Sequence, residues 1–280
     1  MRVVDSHHHL WDLAVRDQDW ITGEALAPLR RDFALADLEP DARAAGVEAT
    51  VVVQTITVPE ETPELLRLAN GDGLVAGVVG WTDLTHPGVR DTLAALRELP
   101  GGDRLVGIRH QVQGEPDPRW LLRQDVLRGL AAVAAAELVY DLLVLPHQLP
   151  AACTAAELRP ELTFVLDHLG KPPIASGGPG PWADDVRRLA ALPNTVCKLS
   201  GMITEAAWGT WTTADLAPYA DTVLDAFGPD RVMFGSDWPV CRLAGSYAQV
   251  VDTALALTGS LSPAEREAVF SGTATRVYGL

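Results

Sequence analysis

The sequence predicts an α/β fold, a (β/α)₈ TIM barrel, on three observations. Short, near-continuous apolar runs alternate with helical stretches, which is the pattern of a parallel sheet buried on both faces. Eight such runs can be counted, most of them ending in a polar residue. The chain's 280 residues also match the usual size of one such barrel, so residues 1–280 are expected to form a single domain. The competing architecture, a doubly wound open sheet, is disfavoured because no GxGxxG follows the first strand.

Taken in order, the first apolar run leads into Asp5-Ser6-His7-His8-His9-Leu10-Trp11. Residues i and i+2 of a strand share a face, so His7 and His9 project together and His8 points the other way. Consecutive histidines also occur in expression tags, but a tag is longer and flanked by linker, whereas these follow an apolar strand. Two imidazoles make half of a metal site, and further ligands must come from elsewhere in the chain. Residues 10 to 35, rich in Trp, Asp, Pro and Arg, show no periodicity and read as a long capping loop. Leu35 to Gly46 reads as a helix with Gly46 just past its end, followed by the strand Ala49 to Gln54.

The alternation then repeats. Helix Glu60 to Asn70 precedes strand Val75 to Trp81, and helix Gly88 to Glu98 precedes Leu105 to His110. Helix Trp120 to Ala136 precedes Leu138 to Leu145, and a short helix at Ala151 to Leu158 precedes Leu162 to His168. Helix Trp182 to Leu192 leads to Thr195 to Ser200, and helix Ala214 to Phe227 leads to Arg231 to Asp237. Ser262-Pro263-Ala264-Glu265 is a capping box with Pro at the first helical position, and it opens a last helix toward Tyr278-Gly279-Leu280.

Composition narrows the function. With 48% hydrophobic residues the core is large, and no uninterrupted apolar segment approaches the ~20 residues of a membrane helix. The chain runs straight into strand-like sequence without a secretory signal, so the expectation is a cytoplasmic protein with no membrane partner. A net charge of −15 argues against nucleic acid. Cys153, Cys197 and Cys241 are widely spaced and form no CxxC, which points to neither a disulfide framework nor a cysteine zinc site.

In such a barrel the active site lies at the C-terminal ends of the strands, which here read His7/His9, Gln54, Trp81, Arg109/His110, His147, His168, Lys198/Ser200 and Asp237. Ligand-type residues gathered at one rim are hard to explain structurally, because each unsatisfied buried polar group costs about 1–3 kcal/mol. Asp237 in GSDWP could instead be a turn carboxylate, and Arg109 could merely pair with an acidic loop. For His110, of opposite parity to Arg109, a structural role is the alternative. His8 and His86 read as structural, and Asp5 is a candidate to orient the histidines from behind.

The segments VDSHHHLWD, GIRHQVQGEPDPRWL, YDLLVLPHQLP, FVLDHLGKPPI, KLSGMITEA and RVMFGSDWPVC together resemble the amidohydrolase superfamily. Within it they are most similar to the amidohydrolase-related lactonase branch, typified by L-fuconolactonase and L-rhamnonolactonase. The resemblance implies a metal-dependent-hydrolase barrel in which His7, His9, His168 and Asp237 surround one divalent ion, zinc or else manganese, although some relatives work without metal. It implies a carboxylic ester hydrolase that opens a sugar-derived lactone, with Asp237, His168 and Arg109 as catalytic residues. Gln54, Trp81, His110, His147 and Lys198 are the expected substrate contacts, and a homo-oligomer is possible on this reading. A decarboxylase of aromatic or dienoic acids and a non-catalytic sugar-acid receptor are the alternatives on the same barrel. The sugar itself has no readable code in the loops, least of all in residues 10 to 35 and 240 to 248.

Overall fold

The computed structural model of the protein describes residues 2–71 and 73–280. Eight strands pair in parallel and in chain order: β1 (Val3–His8), β2 (Val47–Val53), β3 (Val75–Gly80), β4 (Leu105–His110), β5 (Val139–Leu142), β6 (Phe164–Leu166), β7 (Thr195–Leu199) and β8 (Val232–Phe234). Around them lie α1 (Leu35–Ala44), α2 (Glu61–Ala69), α3 (Val89–Arg97), α4 (Gln124–Ala135), α5 (Leu149–Leu158) and α6 (Gly180–Ala190). They are followed by the one-turn α7 (Met202–Glu205), α8 (Thr213–Phe227), α9 (Tyr247–Leu257), α10 (Pro263–Glu267) and α11 (Thr273–Tyr278). No helix among the described residues is long and apolar enough to cross a membrane.

The predicted barrel is therefore the fold, with differences at element ends. The helix expected from Trp120 breaks at Arg123, whose extended backbone separates a 3₁₀ turn from α4. The capping box opens α10 as expected, with Ser262 N donating to Glu265 Oε2 at 2.8 Å. The sequence reading placed no helix at α9, although Ser246 caps it with Gln249 and its buried residues Tyr247, Val250, Val251, Ala254 and Leu257 recur at helical spacing.

Strand β8 stops at Phe234 rather than Asp237, because the chain turns there to close the barrel against β1. Asp237 N donates to His7 O at 2.8 Å, and His9 N donates to Trp238 O at 2.7 Å. Asp5 is the bolt of this seam: Oδ1 accepts from His7 N at 3.2 Å and Ser236 N at 2.8 Å, while Oδ2 accepts from Tyr247 OH at 2.9 Å. Asp5 therefore fixes the backbone of His7 and the position of α9, not the imidazoles themselves.

A bulge in β1 aims the histidines. Asp5 pairs with Thr50 and His8 with Val52, so three steps on β1 oppose two on β2. Val4 packs in the barrel interior with Val51, Val79, Val139, Val165 and Val196. Simple alternation from Val4 would bring Ser6 and His8 inward; the extra residue reverses the parity and brings His7 and His9 inward instead. His8 consequently faces the helices, where its Nε2 meets Thr50 Oγ1 at 2.9 Å.

The seam also needs a glycine. A Cβ on Gly235 would lie 2.8 Å from His7 Cβ and 3.2 Å from Ser200 Cβ. Gly235→Ala is expected to lower stability by about 1–3 kcal/mol, the usual penalty of overpacking. Thermal unfolding checks it against Gly114→Ala, where a Cβ meets nothing within 4 Å and no change is expected.

Candidate active site

The bulged end of β1, the turns after β6 and β8, and the ends of β4 and β7 converge on one point. His7 Nε2 lies 3.2 Å from His9 Nε2. Asp237 Oδ1 lies 3.8 Å from His7 Nε2, 3.5 Å from His9 Nε2 and 3.8 Å from His168 Nε2. Both His168 and Asp237 sit in the left-handed backbone region, at φ 53° and 56°, which is sparsely populated for non-glycine residues. Gly201 permits this packing, since a Cβ there would lie 2.6 Å from His168 Nδ1.

Second hydrogen bonds fix the rings. His9 Nδ1 donates to Val53 O at 2.8 Å, which leaves the Nε2 lone pair facing Asp237. His168 Nδ1 contacts Ser200 Oγ at 3.0 Å, and donation to that hydroxyl leaves its Nε2 lone pair free in the same way. His7 Nδ1 lies 3.3 Å from Asp167 Oδ1 and 3.0 Å from Lys198 Nζ. Burial holds His7 and His168 neutral: His168 is pushed down to about 4, against the pull of Asp237, and His7 lies well below its usual range. For Asp237, burial pushes upward but His168, His9 and Lys171 outweigh it, so its carboxyl titrates below the usual range and is ionised at neutral pH.

This donor set fits a divalent ion. Zinc binds imidazole nitrogen and carboxylate oxygen at about 2.0–2.2 Å, which puts neighbouring ligand atoms of a tetrahedral site roughly 3.3 Å apart. The four measured separations, 3.2 to 3.8 Å, bracket that value. Neutral imidazoles with their far nitrogens already bonded are the usual partners of such an ion.

Beneath this cluster the barrel interior is charged. Lys198 is fully buried, with Nζ 2.5 Å from Asp141 Oδ2 and 3.0 Å from Asp167 Oδ1. Asp167 also accepts from Arg109 Nη1 at 3.0 Å, and Tyr278 OH reaches up from α11 to Asp141 at 3.0 Å. Asp167 is pushed up by burial, but Lys198, His7 and Arg109 hold it well below the usual range. In Asp141 burial wins over Lys198 and raises it to about 6.

Arg109 has committed most of its donors. Nε and Nη2 bond Gln54 Oε1 at 3.2 and 3.0 Å, Nη2 also bonds Gln54 O, and one Nη1 hydrogen goes to Asp167. The remaining Nη1 hydrogen lies toward His7 Nε2, 3.3 Å away, at the floor of a cleft of about 360 Å³. That cleft is lined by His9, His168, Asp237, Arg109, Lys171 and Glu205, with Trp20 and Leu26 contributed by the loop over residues 10 to 35.

Several expected substrate contacts stand elsewhere. Lys198 is spent on Asp141 and Asp167 beneath His7, and Gln54, fully buried, serves Arg109. Trp81 and His110 face away from the cleft: Trp81 Nε1 donates to His110 Nδ1 at 3.0 Å, His110 Nε2 meets Glu115 at 2.7 Å, and the ring stacks on Trp120. His147 is exposed in the turn before α5 and is absent from the cleft wall. The strand-end rule names the rim but not the side of it, and Trp81, His110 and His147 lie on the side away from the cleft. The sequence reading missed Asp141, Asp167 and Glu205. The first two carried a signal, a carboxylate at an inward position of an apolar barrel strand.

Comparison with known proteins agrees with this geometry. The amidohydrolase family model matches residues 4–280. L-fucono-1,5-lactonase of Burkholderia multivorans is 41% identical over 99% of this chain and 96% of its own. L-fucono-1,5-lactonase of Burkholderia ambifaria is 39% identical over 98% of this chain and 94% of its own. A crystal structure of an amidohydrolase from Burkholderia multivorans with bound zinc superposes with a TM-score of 0.94 at 40% identity, each chain covered in full. With its fold, its histidine–aspartate cluster and a match running the length of the barrel, the chain belongs to the amidohydrolase family.

Proposed function

We propose that this amidohydrolase opens a sugar-derived lactone, L-fucono-1,5-lactone or a closely similar 6-deoxy aldonolactone, by adding water to the ester carbonyl. The observation that carries this reading is an ionised Asp237 set within 3.8 Å of three imidazoles at the floor of a cleft. The full-length identity to two L-fucono-1,5-lactonases supports it. The cleft suits the substrate, since Leu26, Leu143, Val240 and Leu243 give an apolar wall for a methyl group and Gln111, Gln113 and Thr204 give hydrogen bonds for hydroxyls.

His7, His9, His168 and Asp237 are the residues that would hold a divalent ion, zinc with manganese as the alternative. Such an ion polarises the ester carbonyl and acidifies water. Asp237 takes the proton from the attacking water and returns it to the ring oxygen as the carbon–oxygen bond breaks, so the product is the open hydroxy acid. Arg109 turns its uncommitted Nη1 hydrogen to the carbonyl oxygen as negative charge develops there. Trp20 and Leu26, brought over the cleft by the 10 to 35 loop, restrict bulk water.

Acid release from a panel of γ- and δ-aldonolactones is the direct assay. Opening of L-fucono-1,5-lactone is expected, and no release from any lactone with zinc or manganese restored would reject the reading. Asp237→Asn keeps an oxygen ligand but removes the base, so metal stays bound while kcat falls by about 10²–10⁴-fold. His7→Asn loses a nitrogen ligand, and metal content and activity fall together, with partial recovery in excess zinc. Because Asp237 titrates below 3.8 and His168 at about 4, the working forms persist on acidification. In the metal-free protein the His168 imidazole should titrate near 4 by NMR, and a midpoint near 6.5 would mean that the ring is solvated rather than buried.

A further inference from the structure

One charged pair in the cleft touches none of the reacting atoms in the chemistry above, although the Lys171 charge helps to keep Asp237 ionised. Lys171 Nζ and Glu205 Oε1 are 3.0 Å apart, with side chains 21% and 26% exposed, and both line the cleft with His168 and Asp237. A pair this open to water adds little stability. Its mounting is nonetheless rigid. Lys171 holds φ 53° and its N–H donates to His168 O at 2.8 Å. Glu205 ends α7, where its carbonyl accepts from Ala175 N at 3.0 Å, and α7 begins at Gly201, the glycine packed on the His168 ring. Both charges are thus carried by the segments that place His168.

The bonding capacity of the pair points to its ligand. An ammonium has three hydrogens and a carboxylate about four acceptor sites, so one mutual bond leaves donors and acceptors side by side and facing the cleft. Adjacent hydroxyls on a sugar ring present oxygens about a hydrogen-bond length apart, the spacing of Nζ and Oε1, and each hydroxyl both donates and accepts. We propose that Lys171 and Glu205 read two neighbouring hydroxyls of the lactone, one accepting from Lys171 and the next donating to Glu205, and so select polyhydroxylated lactones over plain ones. Trp208, also in the cleft wall with its Nε1 tied to Thr204 O at 2.9 Å, presents its ring edge-fixed to the same region, where the carbon–hydrogen face of a sugar would rest. This inference rests on the lactonase reading and adds the groups that choose among lactones.

The test compares kcat/KM for the hydroxylated lactone, for its analogue lacking one ring hydroxyl and for unsubstituted δ-valerolactone, in the native enzyme, Glu205→Leu and Lys171→Met. The native enzyme should prefer the hydroxylated ring over δ-valerolactone by about 10²-fold or more, because a site built to bond a hydroxyl rejects the analogue without it. In each variant that ratio should collapse to within about tenfold. Equal losses on all substrates, which leave the ratio intact, would make the pair structural and overturn the proposal, as would unchanged kinetics. A native enzyme that opens no lactone defeats the lactonase reading before any variant is made; an active native enzyme with an unmoved ratio in the variants defeats only this inference.

Discussion

A single buried ammonium governs the interior of this barrel. Lys198 has no access to water, and its charge is balanced by Asp141 and Asp167, which must therefore point inward from β5 and β6. The second of these carboxylates draws in Arg109 from β4, giving two cations and two anions in a closed group. Removing one member would leave an uncompensated buried charge, a loss of about 3–5 kcal/mol. Such groups contribute little net stability compared with apolar packing, so their value here is positional. His7 Nδ1 rests on Lys198 and Asp167, and the imidazole is thereby aimed at His9 and Asp237 from below.

The sequence made the architecture legible because burial on both faces writes apolar runs that alternate with helices, and nothing in the loops disguises that pattern. The core of the site was legible for a related reason. Histidines and an aspartate at the ends of apolar strands have few structural excuses, and His7, His9, His168 and Asp237 do meet. Trp81, His110 and His147 show the limit of that logic, since a position one or two residues past a strand can turn inward or outward and the sequence does not say which. Even the pairing of His7 with His9 was read from simple alternation, although their inward direction depends on a bulge with no sequence mark. The Lys171–Glu205 pair was illegible because its members lie 34 positions apart, one in the turn after β6 and the other at the end of α7, and meet only once both are built.

The turns themselves carry strain where the chemistry lies. His168, Leu169, Lys171 and Asp237 all have positive φ without being glycine. Each such residue costs of order 1–3 kcal/mol and persists only where neighbours over-determine it. The bond from Trp182 Nε1 to Leu169 O at 2.7 Å and the bond from Asp237 N to His7 O at 2.8 Å are such restraints. The left-handed turns reverse the chain just past β6 and β8, so that His168 and Asp237 look back over the barrel mouth instead of outward. The positions of His168 and Asp237 are thus set by backbone conformation before any side-chain rotamer is chosen.

The reach of Tyr278 from α11 to Asp141 joins the end of the chain to the charged group beneath the site. Tyr278 lies 137 positions beyond Asp141, on a helix that follows the last strand β8. Until α11 docks, Asp141 is short of one donor even when all eight strands have paired. Pairing of the sheet and completion of its charged interior are therefore separate events, and the second is set by docking of α11 rather than by pairing of the last strand.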